Sequence, residues 1–378
     1  MLHALILAGG SGTRLWPASR IAQPKHLLAF ESPPNQPGRT LLQATFERLS
    51  DLVPPDQIWI VTNQSQAASV ACALPRFNAA HIWAEPHTRN TAASIGWAAV
   101  KLRHIDPDAV MVVLPADHII NPASIFCDMI QCAADIVAIS PEKLVTIGVK
   151  PTFPATSYGY IQRGTAFETF PQTTSTRLKK GNYCGYCVHQ FCEKPNRETA
   201  ESFCQSGEFY WNAGIFVWKA ETILDLLNQF EPDIGMELRQ IEQSLGKTEE
   251  TLATEIAFKN MKSISIDYAV MERAENVLVL ESAFEWNDVG TWTALDRLYA
   301  NQKDKDGNIA VDSRLLAINS TGCTVRCDDS DHLIALVGLH DVVVIQTADA
   351  TLIVSKNQEE SVRHIGEELK KQDLSQWS

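Results

Sequence analysis

The chain has 378 residues, 45% of them hydrophobic and 20% charged, and carries a formal net charge of −13. That is ordinary globular composition, with room for one large domain and a smaller one, and its acidic balance argues against a nucleic-acid partner. No apolar run approaches the ~20 residues that span a bilayer, and Met1–Gly10 lacks the basic start of a signal peptide, so a cytoplasmic location and no membrane partner are expected.

Short apolar runs alternate with amphipathic stretches along the first half. Ala4–Ala8, Ile58–Val61, His81–Ala84 and Val110–Leu114 read as buried strands. Thr40–Ser50 reads as a helix with Leu41, Leu42, Thr45, Phe46 and Leu49 on one face, opened by a Thr40/Gln43 capping box. Thr91–His104 reads as a second helix capped by Asn90 or Thr91. This alternation predicts a largely parallel sheet covered on both faces.

Further along, Tyr158–Gln162, Val188–Glu193, Ala213–Trp218 and Asn276–Leu280 read as strands, and Thr222–Phe230 and Thr291–Ala300 as helices. Asn301–Asn308 is polar and reads as a linker. Beyond it, Leu333–Val337, Val342–Gln346 and Leu352–Val354 are short β runs, and Glu359–Lys371 reads as a closing helix. We place a domain boundary here, giving residues 1–302 and 303–378. Nine cysteines are present, with Cys184, Cys187 and Cys192 close together. They read as free thiols in a reducing compartment, because ligands on a strand alternate sides and His189 is a poor fourth ligand.

The run AGGSGTRLWP follows the first strand directly. It fails the Walker spacing, since Arg14 stands where the second glycine belongs, and it fails the dinucleotide fingerprint, since Leu15 replaces the third glycine. Its own chemistry is nevertheless suited to phosphate. Gly9, Gly10 and Gly12 let backbone N–H groups approach an anion, Arg14 adds a forked cation, and Lys25 adds a point charge. The plain alternative is a glycine turn with a surface arginine and lysine. Asp117 ends the apolar run VMVVLPAD and has a strand-end turn as its plain alternative. Asp288 in WNDVG precedes a predicted helix and has a helix cap as its own.

The stretch GGSGTRLWPASR…QPK resembles the signature of the sugar-nucleotide pyrophosphorylases, most closely in its mannose-1-phosphate guanylyltransferase form. EPHTRNTA, LPADHII, YGYI, FCEKP, WNAGIFVW, SIDYAVME and WNDVGTW follow in family order across most of residues 1–300. Lys25 is followed here by His26-Leu27, where the family often has Gln-Phe, and the EKP strand carries Cys192.

The resemblance implies an α/β fold: a Rossmann-like mixed, mostly parallel sheet of the nucleotide-diphospho-sugar transferase (GT-A-like) type. It also implies a small C-terminal β domain, left-handed β-helix-like. The implied reaction joins GTP and mannose 1-phosphate to give GDP-mannose and pyrophosphate. The catalytic cations it implies are Arg14, Lys25 and Lys194. Gly9, Gly10, Gly12, Thr13, Glu85, Asn90 and Thr91 would take the nucleotide, with Glu85 on guanine N1–H and N2–H2. Gly159, Glu193, Asn212 and Gly214 would take the sugar, and Asp117 with Asp288 would hold Mg2+. Tyr158 and Tyr160 are wall residues, His118 is structural, and Asp267 stays open between site and core.

Two alternatives stand beside this reading. One is a nucleotidyltransferase for another sugar 1-phosphate. The other is a non-catalytic sugar-nucleotide sensor, which would be expected to lack the loop cations or the carboxylates. After Lys303 the β region is too short for the cupin isomerase of some relatives and its histidines are scattered, so a transferase alone is expected. A homodimer is a further expectation of the resemblance.

Overall fold

The structure is a computed structural model that describes residues 1–10, 12–31, 38–167 and 184–378; Ser11 of the glycine loop lies outside them. The chain divides into two compact units. The first contains residues 1–9, 46–116 and 120–286, and the second contains residues 10–45, 117–119 and 287–378. The boundary drawn from sequence follows chain order. Packing instead groups the loop after the first strand with the C-terminal β region, because Leu15, Leu28 and Leu41 are buried in one cluster with Trp292, Ile309 and Val343.

The first unit is built on a nine-stranded sheet. Its strands are β1 (Leu2–Leu7), β2 (Ile58–Asn63), β3 (Ile82–Glu85), β4 (Val110–Pro115), β5 (Leu144–Val149), β6 (Gly159–Ala166), β7 (Gly185–Glu193), β8 (Phe209–Lys219) and β9 (Val277–Glu281). Their order is β3-β2-β1-β4-β8-β5-β9-β7-β6, with a further β8–β6 pairing. Parallel pairing joins β3, β2, β1 and β4, and also β5 with β9. The remaining pairs are antiparallel, so the sheet is mixed, with its largest parallel block where strand–helix alternation is strongest in the sequence.

Strand side chains alternate between faces. Leu5, Met111 and Val113 join one core with Trp97 and Leu227, from the helices Asn90–Ile105 and Ala220–Phe230. Helix Ala123–Ile139 packs on β4, β5 and β8 and buries Phe126, Met129 and Ile130. Helices on a mostly parallel block bury both faces, which is why β1 and β4 are apolar almost throughout. Strand order reverses at β1, whose neighbours are β2 and β4. In open α/β sheets that switch point is where ligands collect, at the carboxyl ends of the strands. The chain leaves β1 there through Ala8 and Gly9.

In the second unit the C-terminal region forms two stacked parallel ladders. Ile309–Val311, Thr324–Cys327 and Val342–Gln346 form one, closed by antiparallel Thr351–Ser355, and Arg314–Ile318 pairs with Leu333–Val337 in the other. Alternation between two ladders is the pattern of a β-helix. The expected capping box is present: Thr40 N donates to Gln43 Oε1 at 2.9 Å and Gln43 N to Thr40 Oγ1 at 3.2 Å. The helix expected at 291–300 is shorter, Ala294–Leu298. The closing helix starts as 3-10 turns over Lys356–His364 and becomes α-helical only at Ile365–Lys371.

Candidate functional site

The predicted residues fall into two sets. Gly10, Gly12, Thr13, Arg14, Lys25, Asp117 and Asp288 belong to the second unit. Gly9, Glu85, Asn90, Thr91, Gly159, Glu193, Lys194, Asn212 and Gly214 belong to the first. Of the three cations, Arg14 and Lys25 are thus together and Lys194 is in the other set.

In the second unit the loop turns at Gly12, whose φ is +65°, into the short 3-10 turn Thr13–Leu15. A side chain at Gly12 would strike Lys25 Cβ and Ser19 Oγ, so this glycine is required by packing as well as by conformation. Gly9 and Gly10 have open space where a Cβ would stand, and that space is available to a ligand. Thr13 is exposed.

Lys25 is buried and is the hub of this set. Its Nζ lies 2.7 Å from Asp117 Oδ2 and also donates to the Asp288 main-chain carbonyl. Burial alone would raise the Asp117 carboxyl, but the Lys25 ammonium, aided by His118, outweighs it and holds the group below its usual range. Asp117 is therefore ionised. Burial lowers the neighbouring His26 to about 4, so it adds no charge at neutral pH. Asp288 is not a helix cap, since the next helix begins at Ala294 with Thr293 before it. The turn is held instead by Asn287, whose Oδ1 accepts from Val289 N at 2.8 Å. Arg14 Nε lies 2.9 Å from Glu360 Oε2, an ion pair without hydrogen-bond alignment.

In the first unit Glu85 is the last residue of β3 and is 5% exposed. Burial pushes its carboxyl up to about 7, while the Ser94 hydroxyl works against that rise. Its Oε1 has no hydrogen-bond partner, so a buried acceptor awaits a donor. Asn90 begins the following helix with a positive φ of 65°, and its Oδ1 accepts from Thr91 N at 2.8 Å. Thr91 Oγ1 accepts from Ile266 N at 2.9 Å. Arg89 is spent on structure: its guanidinium donates to the Phe258 and Lys259 carbonyls, both at 2.6 Å.

Ile266 leads into Asp267, the residue that sequence reasoning left open. Asn212 Nδ2 donates to Asp267 Oδ1 at 3.0 Å, and Asn212 Oδ1 accepts from Gly214 N at 3.0 Å. Gly214 has a φ of +66° and sits where β8 breaks register between Asn212 and Phe216. Burial and then the nearby Glu193 charge raise Asp267 to about 6. Lys194 Nζ lies 2.9 Å from Glu193 Oε1. Desolvation opposes its charge, but the Glu193 contact prevails and raises the ammonium above its usual value. A side chain at Gly159 would collide with Glu193 Oε2, so the bare glycine keeps that carboxylate accessible. Tyr158 packs edge-on against Trp211 and Trp286 as a wall. The polar cluster Asn212–Asp267–Glu193–Lys194 thus offers acceptors and donors suited to hydroxyl groups and one cation.

Comparison with known proteins shows the family to which the chain belongs. The Nucleotidyl transferase family matches residues 3–305, and the MannoseP isomerase/GMP-like beta-helix domain matches residues 313–369. The chain belongs to the nucleotidyl transferase family, in its mannose-1-phosphate guanylyltransferase branch. A relative from Salmonella montevideo named mannose-1-phosphate guanylyltransferase is 35% identical over 98% of this chain and 74% of its own length. One of that name from Escherichia coli (strain K12) is 34% identical over 98% of this chain and 73% of its own. The chain therefore spans about three quarters of these relatives. A solved structure from Thermus thermophilus, named mannose-1-phosphate geranyltransferase, superposes with a TM-score of 0.81 at 32% identity, covering 98% of this chain and 99% of that one.

All nine cysteines are free thiols, and no group of three or more His, Cys, Asp or Glu able to hold a metal occurs among the described residues. No helix among them is long and apolar enough to cross a membrane.

Proposed function

We propose that this chain transfers GMP from GTP to mannose 1-phosphate, releasing pyrophosphate and forming GDP-mannose, in the cytoplasm. A phosphate oxygen of the sugar attacks the α-phosphorus of GTP as the bond from that phosphorus to the β-phosphate bridging oxygen breaks. The attacking oxygen is ionised at neutral pH, so no strong base is required. The chemical task is to hold two polyanions together and to stabilise spreading charge, for which positioning contributes on the order of 7–11 kcal/mol.

The observation that carries this reading is the Lys25 ammonium held by both the Asp117 carboxylate and the Asp288 carbonyl, beside the glycine loop. Arg14 and the amides of Gly9, Gly10, Gly12 and Thr13 bind the triphosphate, and Lys25 lies against the reacting phosphates. The donor chemistry of Asp117 and Asp288 suits a hard cation: all oxygen, with Asp117 held ionised. Two carboxylates fall short of a cage, which matches Mg2+, an ion that fills its shell with phosphate oxygens and water. Asp117 and Asp288 would hold it, and when bound it neutralises charge on the phosphate oxygens.

Glu85 reads guanine. Its unpartnered Oε1 accepts N–H groups that adenine lacks on that edge. Asn90 and Thr91 keep the helix entry in place beside it. Asn212, Glu193, Gly159 and Gly214 receive the sugar, Lys194 its phosphate, and Asp267 orients the Asn212 amide. Residues 1–302 are the transferase domain and 303–378 the β-helical domain, and the chain acts as a homodimer. The test is pyrophosphate release with Mg2+ over a panel of nucleoside triphosphates and sugar 1-phosphates. GTP with mannose 1-phosphate should be the preferred pair. A preference for UTP or dTTP with glucose 1-phosphate would replace the substrate assignment, and no release with any pair would favour a sensor.

A further inference from the structure

The loop arginine has a fixed neighbour that the transfer reaction itself does not call for. Arg14 Nε lies 2.9 Å from Glu360 Oε2, within the second unit. Glu360 belongs to the turns Lys356–His364, and that segment is anchored on either side of it. Glu359 accepts twice from Thr293, from its N at 3.0 Å and from its Oγ1 at 2.8 Å. Lys356 pairs with Asp296. Val362 is 3% exposed and buried in one cluster with Leu15 and Trp292. Trp16 Nε1 donates to the Trp377 carbonyl at 2.8 Å, and Trp292 Nε1 to the Trp16 carbonyl at 2.9 Å. The segment carrying Glu360 is thus built onto the same core as the residues flanking Arg14, which brings its half-exposed carboxylate to Arg14.

We propose that Glu360 is a positioning residue for Arg14: it holds the Nε side of the guanidinium so that its donors are presented to the phosphates of GTP. The contact is an ion pair without hydrogen-bond alignment, so Glu360 takes up none of the five guanidinium N–H donors and leaves them for a second anion. The proposal rests on the reading of Arg14 as a ligand of the triphosphate. Arg14 is one-third and Glu360 half exposed, so the pair adds little to folding stability. Its consequence is on binding: a side chain already oriented loses less rotamer freedom when the nucleotide arrives.

The experiment is a double-mutant cycle on the full chain. GTP KM, kcat, equilibrium GTP binding and the melting midpoint are measured for wild type, Glu360→Ala, Glu360→Gln, Arg14→Ala and the Glu360→Ala/Arg14→Ala double variant. Either Glu360 substitution should raise the GTP KM and weaken GTP binding about two- to fivefold, with kcat and the melting midpoint unchanged. In the Arg14→Ala background Glu360→Ala should add nothing further. The inference is overturned if loss of Glu360 leaves GTP binding unchanged, tightens it, or weakens it equally with and without Arg14. If Arg14→Ala itself leaves GTP binding unaltered, the reading of Arg14 fails first and the positioning role falls with it.

Discussion

Ion pairs occur in both units, but the two units differ in their desolvated acids. In the unit that holds the glycine loop, charges are paired before any substrate arrives: Lys25 with Asp117, Arg14 with Glu360, and Arg20 with Asp349. In the sheet unit desolvation raises two acids, the buried Glu85 to about 7 and the half-buried Asp267, which accepts from Asn212, to about 6. Lys25 keeps Asp117 ionised in the unit proposed to meet the phosphates. The unit proposed to receive base and sugar instead keeps acids whose charge desolvation disfavours. A polyanion can displace or join existing ion pairs, whereas a neutral ring or hydroxyl is recognised only through groups left unsatisfied for it.

This contrast can be broken at either end. The largest effect is expected on the phosphate side. Lys25→Gln removes the charge proposed to face the reacting phosphates and leaves the half-buried Asp117 without its partner, so kcat should fall roughly 10²- to 10³-fold in steady-state pyrophosphate release. The melting midpoint should fall as well, because Asp117 then lacks the cation that holds it ionised.

On the base side, Glu85→Gln should reduce the GTP/ATP ratio of kcat/KM by roughly 10- to 100-fold, since the replacement amide presents a donor where guanine needs an acceptor. The same variant should have an opposite effect on the ligand-free protein. Glu85 has a folded value near 7 against an ordinary 4.5. Between those values the unfolded chain releases a proton that the folded chain keeps, so stability falls as pH rises from about 4.5 through 7. Well above pH 7 the loss is on the order of 3 kcal/mol. Glu85→Gln should therefore be more stable than wild type at pH 8, and the gap should close by pH 5, as read by thermal unfolding. GTP donating to that carboxylate favours its charged form, so binding near pH 7 should release protons, measurable by calorimetry in buffers of different ionisation enthalpy.

The smallest expected effect is at Asp267. Asp267→Asn should lower kcat/KM for mannose 1-phosphate about three- to tenfold, the scale of one hydrogen bond in a site, and should remove any titration near pH 6 from that parameter.

Sequence patterning carried much of the fold and pointed to the glycine loop with Lys25 as one part of the candidate site. β1, β2 and β4 are apolar runs bounded by turn residues, and the loop signature with Lys25 is nearly contiguous. Strand β5 escaped because it is buried so fully that no polar face sets a period, whereas helix Ala123–Ile139 escaped despite a legible polar face at Ser124, Asp128, Gln131 and Asp135. Helices Pro232–Ser244 and Glu250–Asn260 escaped as mixed polar stretches whose apolar residues are few. Asp267 could not be resolved because its buried neighbours Ala269, Val270 and Met271 make it look like the polar position of a core segment, and its partner Asn212 lies 55 residues away. Glu360 carries no signal in a charged tail. The one available cue for Asp267 was an acid set alone in the apolar run SIDYAVM.

The most direct test of the division between the two units is a crystal structure with GTP and Mg2+ bound. Glu85 should accept from guanine N1–H and N2–H2, while Asp117 and Asp288 take the cation and Arg14 the triphosphate. A guanine edge placed away from Glu85, or a cation held by other residues, would contradict it.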